Sequence, residues 1–156
     1  MIGIKQVGIS DSMRCKMKIS TKGRYGLRAL VDLAQLGGDE PVSITTISDR
    51  QGISERYLEQ LMSLLKKAGL VKSIRGANGG YILAKELSEI SVGDILRALE
   101  GDLEPVACPA IKTIQGEEDC NAVDQCVTKY VWQRISESIN RTVDEIKLDQ
   151  LLQQGE

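Results

Sequence analysis

Residues 21–83 read as three helical stripes in succession, each closed by glycine, followed directly by two short strands around a glycine-rich link. Tyr25, Leu27, Leu30, Val31, Leu33 and Ala34 recur at helical spacing from Thr21 until Gly37-Gly38. Pro41 marks a loop; Ser43 can cap a short helix over 44–50, which Gln51-Gly52 closes. Ser54 can cap the next helix, with Glu55 in the first turn, where a carboxylate is favoured. There Tyr57, Leu58, Leu61, Leu64 and Leu65 repeat at three and four until Gly69. Residues 71–74 and 81–83 then flank Arg75-Gly76-Ala77-Asn78-Gly79-Gly80, whose glycines and Asn permit the positive φ of a tight connection. Helix, turn, helix and hairpin in this order make a winged helix-turn-helix. The fold class expected is mainly α with a small β-hairpin wing.

Downstream, Ser91 can cap a helix over 92–99 that ends at Glu100-Gly101. Residues 101–126 hold three Cys with Pro105, Pro109, Gly116 and several acids, and show neither helical nor strand period. From Val127 a single long helix to about residue 152 is expected, with Val127, Val131, Ile135, Ile139, Val143 and Ile146 as its stripe. A helix of ~25 residues is about 38 Å long and cannot hide such a stripe on a small domain by itself. Pairing with a second copy is the simplest cover, and folding back on its own domain is the other. The divisions expected are a disordered extension over 1–16, the winged domain over 17–100, a cysteine loop over 101–126 and a dimerisation helix and tail over 127–156.

Composition narrows the chemistry. The chain has no His, which removes Ser-His-Asp and Cys-His catalysis, HExxH zinc chemistry and imidazole-dependent zinc fingers. With no Phe and 3% aromatics, the core must be aliphatic. No apolar run reaches the roughly 18 residues that span a bilayer and no segment resembles a signal peptide, so no membrane role and a cytoplasmic location are expected. The net charge of −2 conceals a polarity: residues 1–83 carry 13 Lys+Arg against 7 Asp+Glu, and residues 84–156 carry 7 against 15. The first half is suited to a polyanion and the second is not.

In a helix-turn-helix the N-terminal part of the second helix enters the major groove of double-stranded DNA. Here Arg56, Glu59 and Gln60 share one face, while Leu58 and Leu61 turn inward. Arg suits guanine O6/N7, Gln suits adenine, and Glu accepts from cytosine N4. Tyr57 can pack on a thymine methyl or donate to a phosphate. Arg75 at the wing can enter a narrow minor groove, and Lys22, Arg24 and Arg28 can add phosphate contacts. Ser54 and Asn78, at the start of that helix and in the wing turn, complete the expected contact set. The plainer alternative is a helical protein with a hairpin, on which Glu59 is a solvated carboxylate.

Cys108, Cys120 and Cys126 stand with eleven and five residues between them, directly before the C-terminal helix. Thiolates at such a spacing can hold an iron–sulfur cluster or zinc, do thiol redox chemistry, or be inert. A thiol oxidoreductase would want a CxxC pair and a base, and the chain has neither.

The segments Lys18-Ile19-Ser20-Thr21-Lys22-Gly23-Arg24-Tyr25-Gly26-Leu27-Arg28-Ala29-Leu30, Gln51-Gly52-Ile53-Ser54-Glu55-Arg56-Tyr57-Leu58-Glu59-Gln60-Leu61 and Arg75-Gly76-Ala77-Asn78-Gly79-Gly80-Tyr81, with the three Cys, closely resemble the IscR family of iron–sulfur cluster regulators. The resemblance runs from about Met17 to Leu152. It implies a homodimeric winged-helix transcription factor, not an enzyme, that binds a labile [2Fe-2S] cluster through Cys108, Cys120 and Cys126 and controls cluster-assembly genes. It also implies that cluster occupancy changes the class of promoter bound. Arg56, Tyr57, Glu59 and Gln60 match the family's base-reading positions, and Arg75 matches the minor-groove residue of its wing. Same-fold relatives sense nitric oxide or govern cysteine metabolism, which is the alternative reading.

Two departures stand out. The family commonly has five residues between its first two Cys, against eleven here, and Arg56 replaces a smaller polar residue. Where the family has a His ligand three positions after the last Cys, this chain has Lys129, which would have to shed its proton to ligate. Glu104, Glu117, Glu118, Asp119, Asp124, Cys15 or a group from the other subunit are the other candidates for a fourth ligand.

Overall fold

The computed structural model describes residues 19–38, 40–106 and 126–153. They divide into two compact units, a larger one of residues 19–103 and 137–153 and a smaller one that includes 104–106 and 126–136. The expectations for residues 1–16, Cys15, Cys108 and Cys120 lie outside the described residues.

The larger unit is the winged helix-turn-helix. Helix α1 (Thr21–Gly37) begins at Ser20, whose side chain accepts from the Lys22 N–H. Helix α2 (Ile44–Gln51) is capped by Ser43, which accepts from the Thr46 N–H. It ends at Gly52 with φ 65, a left-handed value that a side chain disfavours, and this is the turn of the motif. Helix α3 (Glu55–Lys67) follows, then the antiparallel pair β1 (Val71–Ile74) and β2 (Gly80–Leu83), in register Val71↔Leu83 to Ile74↔Gly80. Val42, just before α2, exchanges two main-chain hydrogen bonds with Tyr81 at 2.9 and 2.8 Å, so the wing is tied to the front of the motif. Periodicity gave no sign of that bridge.

After a 3-10 turn (Leu87–Glu89) comes α4 (Val92–Glu100), opened by a capping box between Ser91 and Asp94. Helix α4 lies close against α1 because Gly26 faces Leu99; a Cβ there would run into the Leu99 side chain. The core is aliphatic, as a chain without Phe requires: Leu30, Leu33, Ile47, Leu58, Leu61, Met62, Leu65, Leu70, Ile90 and Ile95 are all essentially inaccessible. Each such side chain contributes roughly 1.5–3 kcal/mol of burial.

The C-terminal segment departs from the expected single helix. Helix α5 (Lys129–Glu145) stops, and a short α6 (Leu148–Gln153) follows. The break has a main-chain cause. The Ile146 carbonyl accepts from the Val92 N–H and the Leu148 N–H donates to the Ile90 carbonyl, both at 2.9 Å, with Lys147 paired to Ser91. Groups that a continuous helix would pair internally are taken by 90–92, and Leu148 drops into the core. The stripe is accordingly divided. Ile139, Val143 and Ile146 are half-buried, whereas Val127, at 93% accessible, Tyr130, Val131 and Ile135 are exposed. Among the described residues no helix is long and apolar enough to cross a membrane.

Candidate nucleic-acid interface

Helix α3 is strongly two-faced. Leu58, Leu61, Met62 and Leu65 anchor it, which turns Arg56, Glu59, Gln60 and Ser63 outward together. With the edge of Leu64 these four line one shallow, open groove on the surface. The expected trio of Arg56, Glu59 and Gln60 is therefore brought to one place. Ser63, one turn further on, joins it; extending the same face by one turn of sequence would have found it. Glu55 in the first turn and Lys66 and Lys67 in the last oppose the helix dipole favourably. Ser54 is exposed at the N-cap, and its side chain makes no capping hydrogen bond.

Tyr57 is half-buried and less free than a purely DNA-facing residue. Its ring meets the Tyr25 ring edge-on, 6.2 Å between centroids at 85°. The Arg28 guanidinium lies over the Tyr25 ring, 5.5 Å from its centre. Arg28 also donates from Nε to Gln51 Oε1 at 3.1 Å and from Nη2 to the Gln51 carbonyl at 2.8 Å. Lys22 and Arg24 stand exposed in the first turn of α1. Arg75 and Asn78 are exposed in the link between β1 and β2. The wing is fastened to α3 by the Lys66 ammonium, which donates to Ser73 Oγ on β1. That pair spans a turn and follows no sequence period.

Beneath the motif, Arg50 of α2 donates to Asp32 of α1 at 2.9 Å, and Asp32 is 1% exposed. The start of α1 is held from the other side. Glu100, at the end of α4, accepts from the Ser20 N–H, the Ser20 hydroxyl and the Gly23 N–H, at 2.9, 2.7 and 2.8 Å. Burial pushes the Glu100 carboxyl up, but the Ser20 and Gly23 hydrogen bonds and the Lys22 charge outweigh it and hold the group below the ordinary carboxylate range.

Of the three expected ligands, Cys126 is described. Its sulfur shares a hydrogen bond with Thr128 Oγ1 at 3.2 Å, just before α5 begins at Lys129. That bond, the nearby main-chain N–H groups and the Lys129 charge hold its thiol below the ordinary range, toward the thiolate.

Comparison with known proteins agrees with this geometry. Residues 19–154 match the Rrf2 family, described as iron-dependent transcriptional regulators. The transcriptional regulator IscR of Serratia proteamaculans is 42% identical over 136 residues, 87% of this chain and 79% of that one. IscR of Pectobacterium atrosepticum is 41% identical over 140 residues, 90% of this chain and 82% of its own. Among solved structures, T. potens IscR superposes with a TM-score of 0.68 at 47% identity, covering 89% of this chain and 88% of that one. The cysteine regulator CymR of B. subtilis also superposes at 0.68, with 42% identity and coverage of 87% and 96%. In sequence and in fold the chain belongs to the Rrf2 family of iron-dependent transcriptional regulators, as a DNA-binding regulator of the IscR type and not an enzyme.

Proposed function

We propose that this regulator acts in the cytoplasm as a homodimer on double-stranded promoter DNA, and that a [2Fe-2S] cluster sets which promoters it binds, those of cluster-assembly genes among them. The observation that carries the DNA reading is the single exposed face of Arg56, Glu59 and Gln60 on a helix whose other face is fixed in the core. Arg56 and Gln60 donate to base edges, Glu59 accepts from cytosine N4, and Tyr57 and Ser54 stand at the entry of the helix. Arg75 and Asn78 approach the minor groove from the wing, and Lys22 and Arg24 neutralise phosphates. Glu59 also penalises sites that present only acceptors to it, because a carboxylate desolvated without a donor is costly.

Cys126 suits the cluster: soft sulfur poised toward thiolate is what iron–sulfur ligation requires, and Cys108 and Cys120 supply two more. When bound, the cluster supplies a redox- and iron-sensitive ligand for the loop that carries them. Lys129 favours the Cys126 thiolate by its charge, which makes it a counter-charge to the sulfur ligands and leaves the fourth position to a carboxylate, Cys15 or a partner group. For the dimer, exposed Val127, Tyr130, Val131 and Ile135 form an apolar face that a second copy would cover.

The test is an absorption spectrum of protein purified without oxygen, with iron and acid-labile sulfide counted. Charge-transfer bands with two irons and two sulfides per site are expected. A colourless protein that holds zinc or no metal contradicts the cluster, and leaves the cysteine-metabolism reading that the likeness to CymR raises.

A further inference from the structure

Arg28 is exposed and basic on α1, which makes it look like a phosphate contact, yet its guanidinium is spent on the protein itself. Gln51 is the last residue of α2, where main-chain carbonyls lack helical partners and a cation is favoured. Arg28 meets that carbonyl with Nη2 and the Gln51 side-chain oxygen with Nε. The same guanidinium covers one region of the Tyr25 ring, and Tyr25 in turn stands edge-on to Tyr57 in the first turn of α3. A connected set therefore runs from the end of α2 through α1 to the first turn of the helix that carries Arg56, Glu59 and Gln60.

We propose that Arg28, through Gln51 and Tyr25, is a positioning residue that fixes Tyr57 and the entry of α3, and so contributes to sequence discrimination without binding phosphate. The inference rests on the DNA-binding reading above. A planar fork is needed to reach both Gln51 oxygens and lie over a ring, so Lys cannot replace it. A phosphate contact needs only the charge, which Lys keeps.

The two roles separate in one experiment. A duplex is selected from a random library by the wild-type protein, and its affinity and that of a scrambled duplex are measured against salt for wild type, Arg28→Lys, Gln51→Ala and Arg28→Lys/Gln51→Ala. Positioning predicts that Arg28→Lys lowers affinity for the selected duplex about tenfold, the scale of one lost base contact, and that Gln51→Ala, which removes the Oε1 acceptor and keeps the main-chain carbonyl that Nη2 meets, lowers it by less. Scrambled-duplex affinity and the salt slope stay at wild-type values, and the double variant is no worse than Arg28→Lys alone, because both changes act through one link. Gln51→Ala removes no charge, so the two singles check each other. The proposal is overturned if Arg28→Lys binds like wild type, if the double variant binds more weakly than Arg28→Lys alone, or if both duplexes weaken alike. It is also overturned if Arg28→Ala, made alongside, lowers the salt slope by about 0.9, the signature of one phosphate contact. A wild-type protein that enriches no duplex overturns the DNA-binding reading itself, and this inference with it.

Discussion

Arg97 on α4 and Asp144 on α5 form a forked ion pair, Nη1 to Oδ1 and Nη2 to Oδ2, both at 2.8 Å. Nη2 also donates to Asn140 Oδ1 at 2.9 Å, one turn earlier on α5. The Asp144 hydrogen bonds, and its charge, raise the Arg97 pKa against the effect of burial. With the main-chain bonds between 90–92 and 146–148, this fork fixes the end of α5 to the winged domain.

Removing the fork should therefore loosen the C-terminal segment. Both side chains keep substantial solvent contact, at 33% and 48%, so the cost of Arg97→Ala is placed at about 1–2 kcal/mol, below that of a buried pair. Urea unfolding followed by the fluorescence of Trp132 measures it. An unchanged midpoint would show that the main-chain bonds alone hold α5.

Acid should release the start of α1. The Glu100 carboxyl titrates lower in the folded chain than in the unfolded one. Its contribution is then complete above the ordinary carboxylate range and is lost as pH falls through the folded value. The stability difference between wild type and Glu100→Gln should be constant near neutrality and shrink toward zero in acid. A difference that does not change with pH would contradict the role given to this carboxylate.

The wing makes its own contribution. Arg75→Ala should weaken binding at every site by roughly 1–3 kcal/mol if the side chain enters a narrow minor groove. Fluorescence anisotropy at physiological salt reads this directly, and an unchanged affinity removes the wing from the interface.

The division of the C-terminal stripe moves the test of assembly. Ile139 stands half-buried within the larger unit, whereas Val131 and Ile135 are exposed at 48% and 38%. Val131→Glu and Ile135→Glu should each place a carboxylate in the dimer contact and shift the protein toward monomer, with operator affinity falling because two half-sites need two copies. Sedimentation showing intact dimers for both places the interface elsewhere.

Most of the winged domain was legible because its signals are local. Ser43, Ser91, Gly52 and the strand pair 71–74 with 81–83 each act over a few residues, and the structure shows elements within one or two positions of those expected. Long-range pairing left no such trace. The apolar period continues unbroken through Ile146, yet the helix stops there because Ile90 and Val92 take its main-chain groups. At the interface, the Arg56, Glu59 and Gln60 face follows from helical geometry alone. What Arg28 touches does not, since Gln51 lies 23 residues away and nothing in an exposed basic residue distinguishes a phosphate from a neighbouring carbonyl.

Whether the cluster changes which DNA is bound can be read by footprinting the promoters of the organism's cluster-assembly genes and other targets. The cluster-loaded protein is compared with the Cys108/Cys120/Cys126→Ala variant, with and without Glu59→Ala. If cluster binding draws Glu59 back from the DNA, the loaded protein should protect the wider set of sites and the triple variant a restricted set, and adding Glu59→Ala to the triple variant should restore the wider set with no cluster present. Identical protection by loaded protein and triple variant would mean that the cluster does not select the DNA.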